Sequence, residues 1–312
     1  MKIQDSEIIV IDAASKDGTA EFLKNKPGII CRVLPAKGDW AANNNLGIEL
    51  SKGEWLCIMN PDIYFNDSFN DVLDVLESFK QPPYPIVSPQ LVFPNGTAQS
   101  DVLFMDFPTL AKHFTFIGGY ASRIFHQHRI RGNPADQIKE SEQTTIRANH
   151  NVVRLEKHHG RGSLFIVHRN TIHLLGGQLW RKEIRLFCAD SDMFRMASEK
   201  AIQILSVPSA RIVHEEGHAT KYQDQTDLFR ELAYGIVMFA RYWNEHPRAF
   251  TVLLVADVMF AFMIAPVKRK LFRVDPNHPR YDPKWFLQGY RFKMVAKIRG
   301  MIEAWNTPLN QD

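Results

Sequence analysis

Short apolar runs alternate with amphipathic segments over the first part of the chain. A β-branched run at residues 7–11 ends at Asp12, and a polar loop then leads into a helical pattern at residues 20–25. The alternation continues, and it predicts further strands at 29–34, at 55–59 and from 86 onward, and further helices at 41–50 and 69–79. This rhythm is typical of a layered α/β fold in which helices flank a mostly parallel sheet.

The pattern loosens at residues 107–160, where basic, aromatic and polar residues mix without a clear period. A stretch of this kind predicts an insertion or a mobile loop. Periodicity then returns, and it predicts a strand at 162–168, a turn at Gly176-Gly177, a helix at 190–200, and a strand at 202–207 whose apolar continuation ends at His214. We therefore expect one domain over residues 1–220 and a helical tail over residues 221–312.

The tail contains a strongly apolar stretch at residues 249–267, followed by the basic cluster Lys268-Arg269-Lys270. Its length approaches that of a membrane span, but Asp257 near its middle and Pro266 near its end oppose one. A helix that packs on the first domain is an alternative interpretation. The cationic flank favours a helix that lies in the membrane interface with its charges on anionic lipid.

Composition agrees with a folded globular protein, since 45% of the residues are hydrophobic and 23% are charged. The net charge of +4 is small, but Lys and Arg concentrate near the C-terminal end, which predicts contact with an anionic surface. Nucleic acid is disfavoured because no base-reading module is visible. Cys31, Cys57 and Cys188 lie far apart, which opposes a zinc ribbon or a disulfide scaffold and favours a reducing, cytoplasmic location.

Acidic residues and a histidine stand at the ends of predicted strands, where ligands bind in open α/β sheets. Asp12, Asp62 and His214 each follow a strand, and Asp190 and Asp192 begin a helix. Carboxylate oxygens are the preferred ligands of Mg²⁺ and Mn²⁺, and imidazole also suits Mn²⁺. A metal at these strand ends could hold the charged diphosphate of a nucleotide.

Each of these residues also has a simpler interpretation. An Asp after a strand is commonly a turn former or a helix cap, and Asn60-Pro61-Asp62 is equally a turn sequence. Asp190 and Asp192 could be favoured only by the helix dipole, and His214 could lie on the surface. The order and spacing of these residues, rather than any one of them, favour a shared site.

Several sequence blocks follow one another in register between residues 7 and 220. They are EIIVIDAASKDGT at 7–19, WAANNNLGI at 40–48, GEWLCIMNPD at 53–62, SPQLVFPNGT at 88–97, GSLFIVHR at 162–169, LGG at 175–177, ADSD at 189–192 and VPSARIVH at 207–214. In these blocks the chain resembles the family 2 inverting glycosyltransferases, and especially their bacterial rhamnosyltransferase-like branch. The resemblance implies the GT-A nucleotide-sugar fold.

The resemblance also implies a donor pocket. Asp12 and Ser15 match positions that line the nucleotide pocket in the family. Asn44 and Asn45 match an Asn pair that lies near the nucleotide. These four side chains are therefore expected to bind the donor.

The metal and the catalytic base are implied in the same way. Asn60 and Asp62 match the two ends of the family's Asp-x-Asp motif, so Asp62 is expected to bind the metal and both to bind the diphosphate. His214 matches a histidine that completes the metal shell. Asp190 matches the catalytic base, and Asp192 is expected beside the donor.

The implied enzyme is an inverting, Mg²⁺- or Mn²⁺-dependent transferase that moves a sugar, rhamnose being one candidate, from a nucleotide-sugar donor. A cell-surface glycan or lipid-linked acceptor is expected, which would place the protein peripherally on the inner face of the plasma membrane. Two features depart from the family. Relatives begin with a further strand and helix ahead of residue 7, which predicts a short N-terminal part, and Ala189 stands where they have Glu. Both support a rival interpretation, a truncated non-catalytic relative that acts as a binding or scaffold protein.

Overall fold

A computed structural model describes residues 6–99, 102–103, 144–155, 158–215, 225–271 and 283–309. Backbone contacts divide these residues into two units. The first unit contains the described residues up to 103 together with 144–185 and 189–215, and the second contains 186–188, 225–271 and 283–309.

The strands all belong to the first unit: β1 (Ile8–Asp12), β2 (Ile29–Val33), β3 (Trp55–Met59), β4 (Ile63–Tyr64), β5 (Ile86–Val92), β6 (Val102–Leu103), β7 (Thr144–Arg147), β8 (His150–Arg154), β9 (His158–His159), β10 (Leu164–His168) and β11 (Ile204–His214). Its helices are α1 (Thr19–Lys24), α2 (Trp40–Leu50), α3 (Asn70–Glu77), α4 (Arg169–Leu174) and α5 (Ala189–Glu199). The second unit contains α6 (Gln225–Tyr242), α7 (Pro247–Leu271) and α8 (Pro283–Asn306).

Seven strands form the main sheet, in the order β3-β10-β5-β11-β8-β7, with β4 paired to the end of β11. The predicted α/β class, with a central sheet flanked by helices, is confirmed. The expectation of a mostly parallel sheet is wrong, because β10 runs antiparallel to both of its neighbours and β8 runs antiparallel to β11. A strand covered on both faces is apolar throughout in either direction, so the apolar run of β10 did not reveal its orientation.

Strands β1 and β2 form a separate, parallel pair. In the part of the chain that the structure describes, β1 pairs only with β2, and β3 pairs only with β10. Glu7 links the two sheets, since its Oε1 accepts hydrogen bonds from the backbone N–H groups of Lys52 at 2.5 Å and Gly53 at 3.0 Å, shortly before β3. These two donors lower the pKa of the Glu7 carboxyl below its ordinary value. The resulting stabilisation is present at neutral pH and is lost as the pH falls through the lowered pKa.

The core of the first unit covers both faces of the main sheet. Leu164 and Ile166 of β10 belong to a buried apolar cluster that includes Val72 and Val75 of α3. The side chain between them, Phe165, points to the other face, where its ring centroid lies 5.5 Å from that of Phe194 in α5. This alternation follows from the two-residue period of a strand, and it explains why all five residues of β10 are apolar or buried.

Three strands, β7, β8 and β9, lie within the predicted insertion at 107–160. β7 pairs with β8, and β8 pairs with β11, so residues 144–154 belong to the main sheet. The sequences Thr-Thr-Ile-Arg and His-Asn-Val-Val-Arg are short and largely polar, which hid them from a search for apolar runs. Residues 107–143 lie outside the described residues.

The second unit is helical, as predicted for the tail. Helices α6 and α8 pack with their backbones in close contact, because a Cβ atom added at Gly300 would overlap the carbonyl oxygen of Arg230. Arg241 of α6 donates hydrogen bonds to the carbonyl oxygens of Ala304 and Thr307 at the end of α8. Within the ranges given above, no helix is both long and apolar enough to cross a membrane.

Candidate active site

The pairing of β4 with the end of β11 brings Asp62 and His214 together. Asp62 directly precedes β4, whose first residue, Ile63, lies opposite His214 in the antiparallel ladder. His214 Nε2 lies 3.4 Å from Asp62 Oδ1, and both side chains are buried. The two predicted metal ligands are therefore neighbours, and His214 does not lie on the surface.

Gln99 sets the orientation of His214. Its Oε1 lies 2.9 Å from His214 Nδ1, and its Nε2 donates a hydrogen bond to the His214 carbonyl at 2.9 Å. Because an amide oxygen can only accept, Nδ1 carries the proton of this hydrogen bond. In the neutral imidazole, the lone pair is then on Nε2 and faces Asp62.

This arrangement fits a divalent cation. Asp62 Oδ1 is buried and accepts no hydrogen bond from the described residues. A carboxylate oxygen beside an imidazole lone pair leaves two acceptors in contact, which is unfavourable unless a proton or a cation lies between them. Oxygen and imidazole nitrogen together suit Mn²⁺, and the oxygen suits Mg²⁺. Over the described ranges, no group of three or more His, Cys, Asp or Glu side chains could hold a metal.

The loop before β10 contacts both Asp190 and the segment that precedes Asp62. We call the Asp62–His214 pair the Asp–His corner. The backbone N–H of Asn60 donates to the carbonyl of Ser163 at 2.9 Å, and the N–H of Gly162 lies 3.4 Å from Asp190 Oδ2. Gly162 leaves room for the carboxylate, since a Cβ atom at this position would stand 2.6 Å from the Cβ of Asp190. Asn60, Asp62 and Asp190 are thus arranged around one short loop.

Asp190 itself is half-buried at the start of α5. Its Oδ1 accepts a hydrogen bond from the N–H of Ser191 at 2.8 Å. The first turn of a helix favours a negative charge. Asp190 is therefore an oriented and partly accessible carboxylate beside the loop that precedes β10.

Asp192 lies in a different environment. Its side chain is 1% exposed, and its Oδ1 lies 2.5 Å from the guanidinium nitrogen of Arg181. A buried carboxylate that is paired with Arg holds the Arg181 loop against α5. Its expected contact with the donor stays a prediction.

Asp12 ends β1 and shapes the loop that follows. Its Oδ1 accepts a hydrogen bond from the N–H of Ser15 at 2.9 Å, and Ala14 between them has a φ of 61°. Asp12 is buried, whereas Ser15 is exposed. The turn-forming role expected from the sequence is thus present, and the donor-binding role of both residues stays a prediction.

Asn44 and Asn45 differ sharply in their contacts. The buried Asn45 amide donates to the carbonyl of Trp180 at 2.7 Å and accepts from the N–H groups of Leu179 and Trp180 at 3.2 and 3.3 Å. Asn44 is half-buried and donates to the carbonyl of Trp40, one turn earlier in α2. Asn45 therefore ties α2 to the segment after the Gly176-Gly177 turn, and Asn44 is the one of the two that has a partly accessible side chain.

Three residues at this site were not indicated by the sequence: Gln99, Gly162 and Glu215. The N–H of Glu215 donates to the Asp62 carbonyl at 3.0 Å. Its carboxylate accepts a hydrogen bond from the Tyr64 hydroxyl at 3.1 Å and raises the pKa of that hydroxyl. Only the position of Glu215 after His214 could have suggested it, because no pattern in the sequence brings β4 to the end of β11.

The mixed sheet with helices on its faces has the GT-A fold that glycosyltransferases share. The crystal structure of GalNAc-T7 with UDP, GalNAc and Mn²⁺ superposes with a TM-score of 0.51 at 15% identity, over 93% of this chain. The chain spans about half of that protein's length, 51%. Residues 2–156 match the family described as Glycosyl transferase family 2. The predicted resemblance to family 2 glycosyltransferases is thus found again over about half of the chain.

Two further solved structures are similar over most of their lengths. The mannosyltransferase PcManGT from Pyrobaculum calidifontis, in complex with GDP-Man and Mn²⁺, is 13% identical with a TM-score of 0.44, covering 96% of this chain and 78% of that one. S. aureus TarS, residues 1–349, is 14% identical with a TM-score of 0.42, covering 96% and 81%. No curated protein matches the sequence significantly.

Proposed function

We propose that this chain transfers a sugar from a nucleotide-sugar donor to an acceptor hydroxyl, with a divalent metal and with inversion at the anomeric carbon. The observation that carries the proposal is that the loop containing Gly162 contacts both Asp190 and Asn60, which stands two residues before the Asp62–His214 pair. A metal site and a separate base are the two groups that a single displacement requires.

Asp62 and His214 would hold the Mg²⁺ or Mn²⁺, and the bound cation would offset the charge that develops on the departing diphosphate. The structure of GalNAc-T7 with UDP and Mn²⁺, which has the same fold, supports a nucleotide and a metal as the ligands. Asp12, Ser15, Asn44 and Asn60 complete the proposed donor pocket, with Ser15 exposed and Asn44 half-buried.

Asp190 would act as the general base. It accepts the proton of the acceptor hydroxyl while that oxygen bonds to the anomeric carbon, and the bond from this carbon to the diphosphate oxygen breaks with its electron pair on the diphosphate. The backbone N–H groups of Ser191 and Gly162 hold the carboxylate in one orientation. Such positioning reduces the entropy that the reaction must lose.

The resemblance to the rhamnosyltransferase-like branch suggests a donor sugar and an acceptor to test. Rhamnose carried on dTDP is the first donor to test, and a cell-surface glycan or a lipid-linked sugar is the proposed acceptor. Such an acceptor would place the enzyme in the cytoplasm, peripherally on the inner face of the plasma membrane.

Calorimetry of the purified chain with UDP, GDP and dTDP, each with and without Mn²⁺ or Mg²⁺, tests the Asp–His corner. We expect at least one nucleotide to bind in a metal-dependent manner, and Asp62→Asn to weaken that binding by about tenfold or more. Asp74→Asn is the matched control, because Asp74 forms an exposed pair with His150 at 3.2 Å, away from the site.

The control should bind like the unaltered chain. Failure of every nucleotide to bind with either metal would contradict the proposal and favour the rival, a non-catalytic scaffold. Equal loss in both variants would indicate a general effect of removing an Asp–His pair rather than a metal site.

A further inference from the structure

Helix α7 presents apolar residues to solvent. Among its described side chains from residue 249 onward, the exposed ones are all apolar: Ala249, Val252, Ala256, Met259 and Met263. The larger three are 69%, 58% and 64% exposed in chain order. A helix on the surface of a water-soluble domain normally carries polar residues on this side.

These residues form one continuous stripe. Val252, Ala256, Met259 and Met263 follow the spacing of a single helix face, and they extend over about 16 Å at 1.5 Å per residue. We call this row the α7 stripe. An uninterrupted apolar face of this kind marks a surface that contacts a partner or a membrane.

Two polar residues of the same helix, Thr251 and Asp257, lie away from the α7 stripe. Asp257, its only acidic residue, is 7% exposed. The Thr251 hydroxyl donates to the Pro247 carbonyl at 2.7 Å and accepts from Trp305 Nε1 of α8 at 3.0 Å. Phe250, Leu254 and Val258 are also buried, so the packed side of the helix and the α7 stripe are both mainly apolar.

Helix α8 extends the apolar surface at the end near Thr251. Ile302 is 57% exposed and Trp305 is 36% exposed. The indole N–H of Trp305 is satisfied by Thr251 while its ring remains partly accessible. Tryptophans of this kind are enriched where a protein meets the boundary between lipid and water.

Positive charge is concentrated on the same two helices. α7 and α8 contain nine Lys and Arg and two Asp and Glu, a net charge of +7, whereas the whole chain has a net charge of +4. Lys268, Arg269 and Lys270 lie in the last turns of α7, beyond the end of the α7 stripe. Two copies of the chain that met through this surface would bring like charges together, whereas an anionic surface is complementary to it.

We infer that the α7 stripe docks on an anionic lipid bilayer, with its apolar side chains in the headgroup region and the basic end of α7 on acidic headgroups. Apolar burial and electrostatic attraction act together in such helices, and neither alone anchors a protein strongly. The inference does not depend on catalysis and would hold for a non-catalytic chain.

Flotation of the full chain with vesicles tests this assignment. One set contains phosphatidylcholine alone, and the other contains phosphatidylcholine with phosphatidylglycerol. We expect binding to the anionic vesicles only. Met259→Glu should reduce this binding by about tenfold or more, because an apolar side chain that would enter the headgroup region is replaced by a negative charge, which anionic lipid repels. Neutralising Lys268, Arg269 and Lys270 to Gln should reduce it by about a hundredfold.

Two controls match these changes. Leu174→Glu makes the same kind of substitution at an exposed apolar residue of α4 and is the control for Met259→Glu. Replacing the exposed Lys24, Lys37 and Lys80 by Gln removes three positive charges from the first unit and is the control for the triple Gln variant of α7. Both should bind vesicles like the unaltered chain, with unchanged thermal unfolding in all variants. Equal binding to neutral vesicles, no vesicle binding at all, or a dimer in solution that Met259→Glu dissociates would each overturn the inference.

Discussion

The imidazole of His214 lies between Gln99 and Asp62, and its proposed role as a metal ligand depends on the contact with Gln99. That amide fixes the proton on Nδ1, so Nε2 is left to face the carboxylate. Partners of this kind hold ligating histidines in the correct tautomer and orientation. A second residue, Gly162, acts at the other side of the site by leaving space for the Cβ of Asp190.

Gln99→Leu should weaken Mn²⁺ binding by about 10- to 100-fold, because His214 would lose the acceptor for its Nδ1 proton. Titration of the chain with Mn²⁺, followed by electron paramagnetic resonance, measures this affinity. Gln90→Leu is the matched control, since it removes a half-buried amide of the neighbouring strand β5 that bonds to the carbonyls of Leu91 and Gln99.

The control is expected to lose stability without losing metal affinity. Unchanged Mn²⁺ affinity in Gln99→Leu would show that the amide does not orient His214 for a metal. An equal loss in the Gln90 variant would indicate disturbance of the strand instead.

At the scale of elements, β11 assembles the site. It pairs with β5 and β8 along its length, and its last residues pair with β4. This long strand places His214 beside Asp62, while α5, which precedes it in the chain, places Asp190 beside Gly162. Helix α2 is fastened separately, through Asn45, to the segment that leads into α5.

Asn45→Ala should destabilise the first unit by about 2–4 kcal/mol, because it leaves the buried backbone groups of Leu179 and Trp180 without their hydrogen bonds. Urea unfolding measures the change. Asn44→Ala is the paired variant: its amide bonds within α2, so its loss should change stability by no more than about 0.5 kcal/mol.

The two asparagines should therefore separate stability from donor binding. Asn44→Ala is expected to weaken nucleotide binding while the fold remains stable. A stability loss in Asn44→Ala as large as that in Asn45→Ala would contradict this division of roles.

For the whole molecule, patterns in the sequence predicted the individual helices and strands better than they predicted how the strands pair. The strands and helices predicted before residue 80 all form, with ends within two residues of the prediction, since apolar periodicity reports local burial. Strand direction was mispredicted at β10, because an apolar strand is alike in either orientation. The polar strands β7 and β8 were missed, because they lack the apolar period.

The same distinction holds at the site. Asp62, His214 and Asp190 could be proposed because each stands at the end of an element in a recognisable sequence block. Gln99 and Gly162 could not, since their roles arise from contacts between segments that are distant in the chain. The exposed face of α7 also required the structure, because an apolar helix gives no indication in sequence of which side is covered.

Asp190 is the proposed base of a sugar transfer whose donor the Asp62–His214 pair would hold. The most direct test measures two quantities for the unaltered chain and for Asp190→Asn. The first is the turnover of sugar transfer from the nucleotide sugar that binds best in the presence of Mn²⁺, and the second is the calorimetric affinity for that donor. Loss of the base should lower turnover by about a hundredfold or more while donor affinity is retained. Unchanged turnover in Asp190→Asn would contradict the account.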